Sequence, residues 1–422
     1  MKLSKTIFAL LAVMTLVSSV AWAEFRLTPS FSLREEYDDN IYLEANDEES
    51  DFITIVRPSV NVNWETRFVN LSLNLGLEYE KYLHNSDEDE LRPSQGASLD
   101  STWSLYKDAL FLRVTDTYDR VAIDEGDKGG LDSKLTNLTD RNRFIANPYL
   151  LLHPVRTLEA RFDYQYENIW YREKEGDDAE NHRYSLQLTK EISPRISAIL
   201  YGGYTQYRPK KVSRSVLDIE GEEEYDRTDA RFTLLWNLTD NFTLSGNVGK
   251  AWLDYDYSGN TTTNLFGGQA DYQISRTFSV GTSYQEDVTD TVEDGAREQK
   301  RYSAYCSYVD RAKVSLTLFK TQADYIEVER QDDSRGGVLA GEVPITNKKG
   351  VAWSLNYTDY EKTDEEYPET ENYDRYGARV ELYHQLRLGR ASLGYTWNRN
   401  DSDIPVNDYT SNIVFAQVAL TW

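Results

Sequence analysis

Val69, Leu71, Leu73, Leu75, Leu77 and Tyr79 alternate with Asn70, Ser72, Asn74, Gly76, Glu78 and Glu80. Successive strand residues point to opposite faces, so this stretch has one apolar and one polar face. The pattern returns along the chain. Leu158, Ala160, Phe162, Tyr164 and Tyr166 oppose Glu159, Arg161, Asp163, Gln165 and Glu167. Phe232, Leu234, Trp236 and Leu238 oppose Arg231, Thr233 and Asn237, and Val314, Leu316 and Leu318 oppose Lys313, Ser315 and Thr317. Such strands serve a soluble sandwich, with the polar face outside, or a transmembrane barrel, with the apolar face on lipid.

Short turns separate the strands on one side and long loops on the other. The turns predicted are Glu65-Thr66-Arg67, Tyr106-Lys107-Asp108, His153-Pro154-Val155, Ser193-Pro194, Thr239-Asp240-Asn241, Ser275-Arg276, Asp310-Arg311 and Leu388-Gly389. The loops predicted are 38–50, 83–94, 121–139, 172–180, 209–225, 288–298, 329–342, 362–371 and 401–408. This alternation is that of a barrel with periplasmic turns and external loops. Predicted strands run to roughly 11–16 residues, more than the roughly 9–11 a tilted strand needs to span a bilayer. The expected architecture is all-β, a single antiparallel up-and-down transmembrane barrel of 16–20 strands, centred on 18. Gly336 to Thr346, with Pro344 and glycines, is the segment that decides the count.

The ends of the chain select the membrane reading. Lys2 and Lys5 precede an apolar stretch from Ile7 to Val20, and Ala21-Trp22-Ala23 forms a small-x-small cleavage site. Residues 1–23 read as a signal peptide and 24–422 as one barrel domain. After the signal no apolar run is long enough for a membrane helix. Mean hydropathy is −0.64, which a barrel tolerates because only half of each strand meets lipid. The chain holds 31 Tyr and 9 Trp but one Cys. Tyr and Trp collect where an apolar body meets water, as in the aromatic girdles of barrels. The lone Cys306 allows no internal disulfide. The last strand, with Val414, Ala416, Val418, Leu420 and Trp422 on one face, resembles the ending that assembly machinery reads in bacterial outer-membrane barrels.

Asp and Glu total 71 against 46 Lys and Arg, a net charge of −25. Loss of Lys2 and Lys5 with the signal takes this to −27. Such acidity argues against nucleic acid, which needs a basic surface. The acid concentrates in loops, as in Asp87-Glu88-Asp89-Glu90, where solvation explains most of it; divalent cations and lipopolysaccharide are the partners it could meet. Charges on the polar strand faces are more informative. Glu78, Glu80, Arg161, Asp163, Glu167, Arg231, Arg379 and Glu381 are the expected lumen-facing set, either as ion pairs in the wall or as a track for a hydrated solute. The four histidines, His84, His153, His182 and His384, form no Ser-His-Asp spacing, and there is no HExxH, P-loop or CxxC. Neither an enzyme nor a cofactor is expected.

The run Leu33-Arg34-Glu35-Glu36-Tyr37-Asp38-Asp39-Asn40-Ile41-Tyr42, followed by Ser50 to Pro58, is similar to the opening of the beta-barrel porin 2 family. Hairpins such as Leu238 to Leu244 resemble that family's later repeats. The likeness covers about 30 residues in wording and the remainder in pattern. It implies an outer-membrane barrel tied to capsule or exopolysaccharide production, working with periplasmic polysaccharide-export proteins. Two other readings stand beside it: a passive porin for small solutes, and a plugged barrel acting through its loops as an adhesin.

Overall fold

A computed structural model describes residues 24–422, apart from 125, 129–132, 174–175, 177, 211–222, 293–294 and 365–369. The expected signal segment lies outside the described residues. The first strands are β1 (Glu24–Asp38), β2 (Asp51–Glu65), β3 (Val69–Tyr82), β4 (Glu90–Pro93), β5 (Ala97–Tyr106), β6 (Leu110–Ala122) and β7 (Leu138–Val155). There follow β8 (Leu158–Tyr171), β9 (Ala179–Ser193), β10 (Ile196–Pro209), β11 (Tyr225–Thr239), β12 (Phe242–Tyr255), β13 (Asn260–Gln273) and β14 (Phe278–Asp290). The last are β15 (Ala296–Val309), β16 (Lys313–Tyr325), β17 (Arg330–Pro344), β18 (Lys349–Asp364), β19 (Glu371–Gln385), β20 (Gly389–Ser402) and β21 (Tyr409–Thr421).

Apart from β4, which pairs with β3 alone, each strand pairs antiparallel with the next, β3 continuing to β5, and β1 pairs with β21 from Ser30↔Thr421 to Asp38↔Ile413, closing the ring. A closed ring leaves no edge to hydrogen-bond with lipid, the condition for strands to cross a membrane. β4 and β5 both lie on the same side of β3, one above the other, as two pieces of one stave. The barrel of described residues therefore has 20 staves, not the 18 taken as the centre of the range. The difference lies in the Gly336–Thr346 segment. Residues predicted as loop 329–342 are strand β17, and the turn after it, 345–348, was not foreseen. Pro344 is tolerated because it is the last residue of β17, where its missing N–H breaks little of the ladder. Two smaller corrections follow. Pro154 and Val155 still belong to β7, so that turn is Arg156-Thr157, and the loop of 256–259 between β12 and β13 was also missed.

The outward face is apolar. On β1 it carries exposed Phe25, Leu27, Phe31, Leu33 and Tyr37. Twelve residues separate the aromatic at each end, ~40 Å along a strand and ~30 Å of bilayer at the usual tilt. Phe68, in the turn before β3, and Tyr106, Tyr272 and Tyr308 mark the turn-side level elsewhere, while Tyr79, Trp170, Trp252 and Tyr395 mark the loop-side level. These are the two girdles of a membrane barrel.

Candidate functional site: segments reaching into the lumen

The wall parts at two places in its loop-side half. β6 pairs with β5 only as far as Tyr118↔Ala97, and β13 pairs with β14 only from Phe266↔Glu286 downward. Above each parting a hairpin leans into the lumen. One is the β6–β7 hairpin with segment 123–137; the other is the top of β14–β15.

The described residues of this connection, 123–124, 126–128 and 133–137, make contacts on opposite sides of the barrel. Arg330, at the start of β17, donates to both oxygens of Asp124, at 2.6 and 2.8 Å, and to Asp332 at 2.7 and 3.0 Å. Lys362 of β18 donates to Asp124 at 2.8 Å and to Asp127 at 3.1 Å. Arg375 of β19 donates to the Asp127 carbonyl at 3.2 Å. β17 stands nine staves from β6 and ten from β7 by the shorter way round, and ten is the greatest separation a 20-stave ring allows. The far end of the segment is pinned elsewhere. Lys134 ion-pairs with Glu36 of β1, and the Thr136 hydroxyl donates to the Tyr42 carbonyl at 3.0 Å. Leu135 packs on the buried cluster of Ile41, Ile53, Ile55 and Tyr82.

Electrostatics hold the Asp124 end of this strap and work against the charge at its Lys134 end. Burial works to raise the Asp124 carboxyl, but the hydrogen bonds and charge of Arg330, then the charge of Lys362, outweigh it and hold it at about 2. Burial pushes the Lys134 ammonium well below its usual value, with the Arg34 charge adding to it.

The second hairpin closes on an apolar core. Val288 and Ala296 pack with Tyr225, Ala251, Leu253, Tyr255 and Leu265 from the wall. The Tyr225 hydroxyl donates to Asp290 at 2.5 Å, and Arg227 and Arg231 donate to Asp287 at 3.1 and 2.8 Å. Glu327, in the 326–329 loop, accepts the amide of Glu223 at 3.1 Å and that of Ala296 at 3.3 Å. Burial raises its carboxyl to about 7; the nearby Glu223 and Asp290 charges add to this and the two amides oppose it. Gly295 beside it has φ +70° and no room for a Cβ against the Glu327 carboxylate, so glycine is needed there twice over.

Each of the eight charges named from the sequence lies in an ion pair. Arg92 joins Glu78 at 2.5 Å and Glu80 at 3.0 Å, and Arg57 also joins Glu78. Arg161 pairs with Asp163 at 2.7 Å, Glu167 with Arg143, Arg231 with Asp287, and Arg379 with Glu381 at 2.9 Å. They are spread around the wall rather than brought to one point. Trp422 is exposed at the turn side, its amide donating to the Pro29 carbonyl at 3.0 Å. Asp124, Asp127, Lys134, Arg330 and Lys362 were not singled out from the sequence. Residues 121–139 read as external loop, and no local signal tells an inward loop from an outward one, because the partners are remote in sequence: Arg330 lies 206 positions and Lys362 238 positions from Asp124, and Tyr42 lies 94 from Thr136. Among the histidines, His84 lies 3.2 Å from Asp51 and His182 lies 2.9 Å from the Tyr164 hydroxyl. No cluster suited to a metal occurs among the described residues.

No family model matches the chain, and neither does any curated protein. Solved structures do. The ferric enterobactin receptor PfeA of Pseudomonas aeruginosa aligns over 96% of this chain and 81% of its own, at 8% identity and a TM-score of 0.52. The FrpB iron transporter of Neisseria meningitidis covers 94% of this chain and 82% of its own, at 8% identity and TM-score 0.51. The siderophore receptor PirA of Pseudomonas aeruginosa covers 94% and 80%, at 11% identity and TM-score 0.50. At these identities the likeness is one of fold. Together with the closed ring and its apolar, aromatic-girdled exterior, it identifies the chain as a β-barrel of the outer membrane.

Proposed function

We propose that this barrel is a gated conduit for a polar, hydrated solute, with segment 123–137 as the gate and saccharide as the cargo class. The observation that carries it is the charge clamp on Asp124, which ties a segment rooted on one wall to Arg330 and Lys362 on the opposite one. A strap held by ion pairs over a polar lumen can be released without unfolding the wall. Saccharide cargo is favoured by the resemblance of Leu33 to Pro58 to the beta-barrel porin 2 family, with its link to capsule and exopolysaccharide export. In this reading the barrel works with periplasmic polysaccharide-export proteins, Trp422 serves recognition by the assembly machinery, and the task is transport rather than catalysis.

A second reading, a passive pore for small solutes, is favoured by the same segment. Its acids Asp124 and Asp127 face Arg330, Lys362 and Arg375, which is the form of a constriction with opposed charges. Planar-bilayer conductance separates the two. A gate predicts little steady current from the wild type and a several-fold larger, steady current from the Asp124→Ala, Asp127→Ala double variant. Steady current already present in the wild type and unchanged in the variant would sink the gate and leave the passive pore.

A further inference from the structure

Below the two inward hairpins, the lumen wall of β10–β13 forms a hollow of about 310 Å³ near the periplasmic turns. Its inward-facing lining includes Ser197, Leu235, Asn237, Ser245, Gln269 and Asp271. The volume lies at the small end of small-molecule sites. At the β13 edge stands Tyr305 of β15, whose hydroxyl donates to Asp271 Oδ1 at 2.6 Å. Gln269 donates to the other oxygen of Asp271 at 2.7 Å. The Tyr305 ring lies across Gly281. A Cβ at Gly281 would stand 2.3 Å from the ring's Cε1 and 2.6 Å from Asp271 Oδ1, so only glycine lets the ring lie down on the wall. One face of the ring is thus covered by the wall, its tip is fixed by Asp271, and the side chain stays 37% exposed.

We propose that Tyr305, Asp271 and the hollow beside them form a binding subsite for a neutral hexopyranose unit of a glycan. This rests on the reading of the barrel as a saccharide conduit and names where the sugar is held. A pyranose has an apolar C–H face and a rim of hydroxyls. The open face of a fixed Tyr ring takes the first. Leu235, which is 40% exposed to the lumen, extends that apolar floor. Asp271, Gln269, Asn237 and the Ser197 and Ser245 hydroxyls offer acceptors and donors for the second. Arg195, the cation in the hollow's lining, is engaged at the turn, donating to the Leu238 carbonyl at 3.2 Å and pairing with Asp240 at 3.6 Å, so it is not paired with Asp271 and a uronic acid is disfavoured beside that carboxylate.

Saturation-transfer NMR with maltohexaose, on the full chain refolded in a detergent without sugar headgroups, tests the subsite without needing the outer mouth to open. The wild type should saturate the glucose C–H protons. Tyr305→Ala should weaken binding about tenfold, the size of one stacking contact. Tyr302→Ala, its neighbour on the lipid face, should bind as the wild type does and controls for folding. Tyr305→Phe should retain part of the signal. Equal signals from the wild type and Tyr305→Ala, no signal from folded wild type, or a preference for oligogalacturonate would overturn the proposal. A failed conductance test removes the gate and leaves this result standing; a failed binding test removes the subsite and leaves the gate.

Discussion

In the loop-side half of the barrel, the inward face of β12 and β13 carries Ala251, Leu253 and Leu265, each no more than 1% exposed. A few residues down the same two strands, the same face carries Asn247, Ser245, Gln269 and Asp271. The alternation never breaks; only the chemistry on the inward positions changes. Where hairpins lean in, the wall supplies an apolar core and paired charges. Where nothing leans in, it supplies small polar side chains that water or a solute can meet. A barrel lumen is therefore not one environment, and the outer half behaves as the interior of a small globular domain held inside a membrane wall.

The strongest break in that comparison is Arg330→Ala. Arg330 is the shared donor to Asp124 and Asp332, and all three side chains are nearly buried. Removing the cation leaves Asp124 with Lys362 and Asp332 with only the Tyr325 and Tyr360 hydroxyls, at 3.1 and 2.7 Å, a loss of about 3–5 kcal/mol for breaking a buried pair. Thermal unfolding should show a large drop, and protease should cut within 123–137 before it cuts the wall. Resistance of that segment equal to the wild type would mean the clamp does not hold it. Leu265→Ala tests the other hairpin. Leu265 is fully buried in the apolar core, so truncation should remove about 2–4 kcal/mol by lost transfer and a cavity. A change below about 1 kcal/mol would mean the β14–β15 hairpin does not rest on the wall.

The same contrast bears on what the chain disclosed as sequence. Alternation over 69–80 and 158–167 gave strands, faces and the barrel class because a period of two is a local property. Eight of the nine turns were placed to within a few residues, most of them through Pro, Asp, Asn or Gly. The ninth, Ile345 to Lys348, was hidden because Pro344 and the glycines before it read as loop, although Phe319 and Trp353 lie over Gly336 and Gly341 and complete the surface. The eight charges on polar faces could be placed on strands. Their partners could not, and the strap could not, because Asp124 finds Arg330 across 206 positions of sequence. The inward core was likewise hidden: Leu253 and Leu265 sit on the polar parity of their strands and look like exceptions until the hairpin above them is seen.

Acidity offers a finer division between the two hairpins. The Asp124 carboxyl is held at about 2, below its unfolded value. Its contribution is complete above the unfolded value of roughly 3.9 and is lost only as pH falls toward the folded one. Between pH 5 and 8 the Asp124 clamp should not respond. Glu327 is raised to about 7. A carboxyl raised on folding binds its proton more tightly in the folded state, so its site is most stable below roughly pH 4 and weakens as pH rises toward 7. Hydrogen exchange corrected for intrinsic rates should show 291, 292, 295 and 296 less protected at pH 8 than at pH 5.5, with 123, 124 and 126–128 unchanged. Loss of protection in both segments together would mean that they open as one unit.

The smallest effect belongs to the periplasmic half. Ser283 and Ser303 face the lumen and share a hydrogen bond of 2.7 Å. Their neighbours on that face, Gly281 and Tyr305, leave the surface open, and either hydroxyl can turn to water when the other is removed. Ser283→Ala should therefore change stability by no more than about 0.5 kcal/mol, as surface substitutions do. The identical exchange in the outer half has no such escape. Ser411 is fully buried and donates to Asp38 at 3.1 Å, so Ser411→Ala leaves a buried carboxylate short of a donor and should lose about 1–3 kcal/mol. Paired measurement of the two serines by thermal unfolding reads the difference between the halves with the same atom deleted. Equal losses at both positions would show that the periplasmic wall is as dry as the outer one, and the lumen would then have to be closed along its whole length.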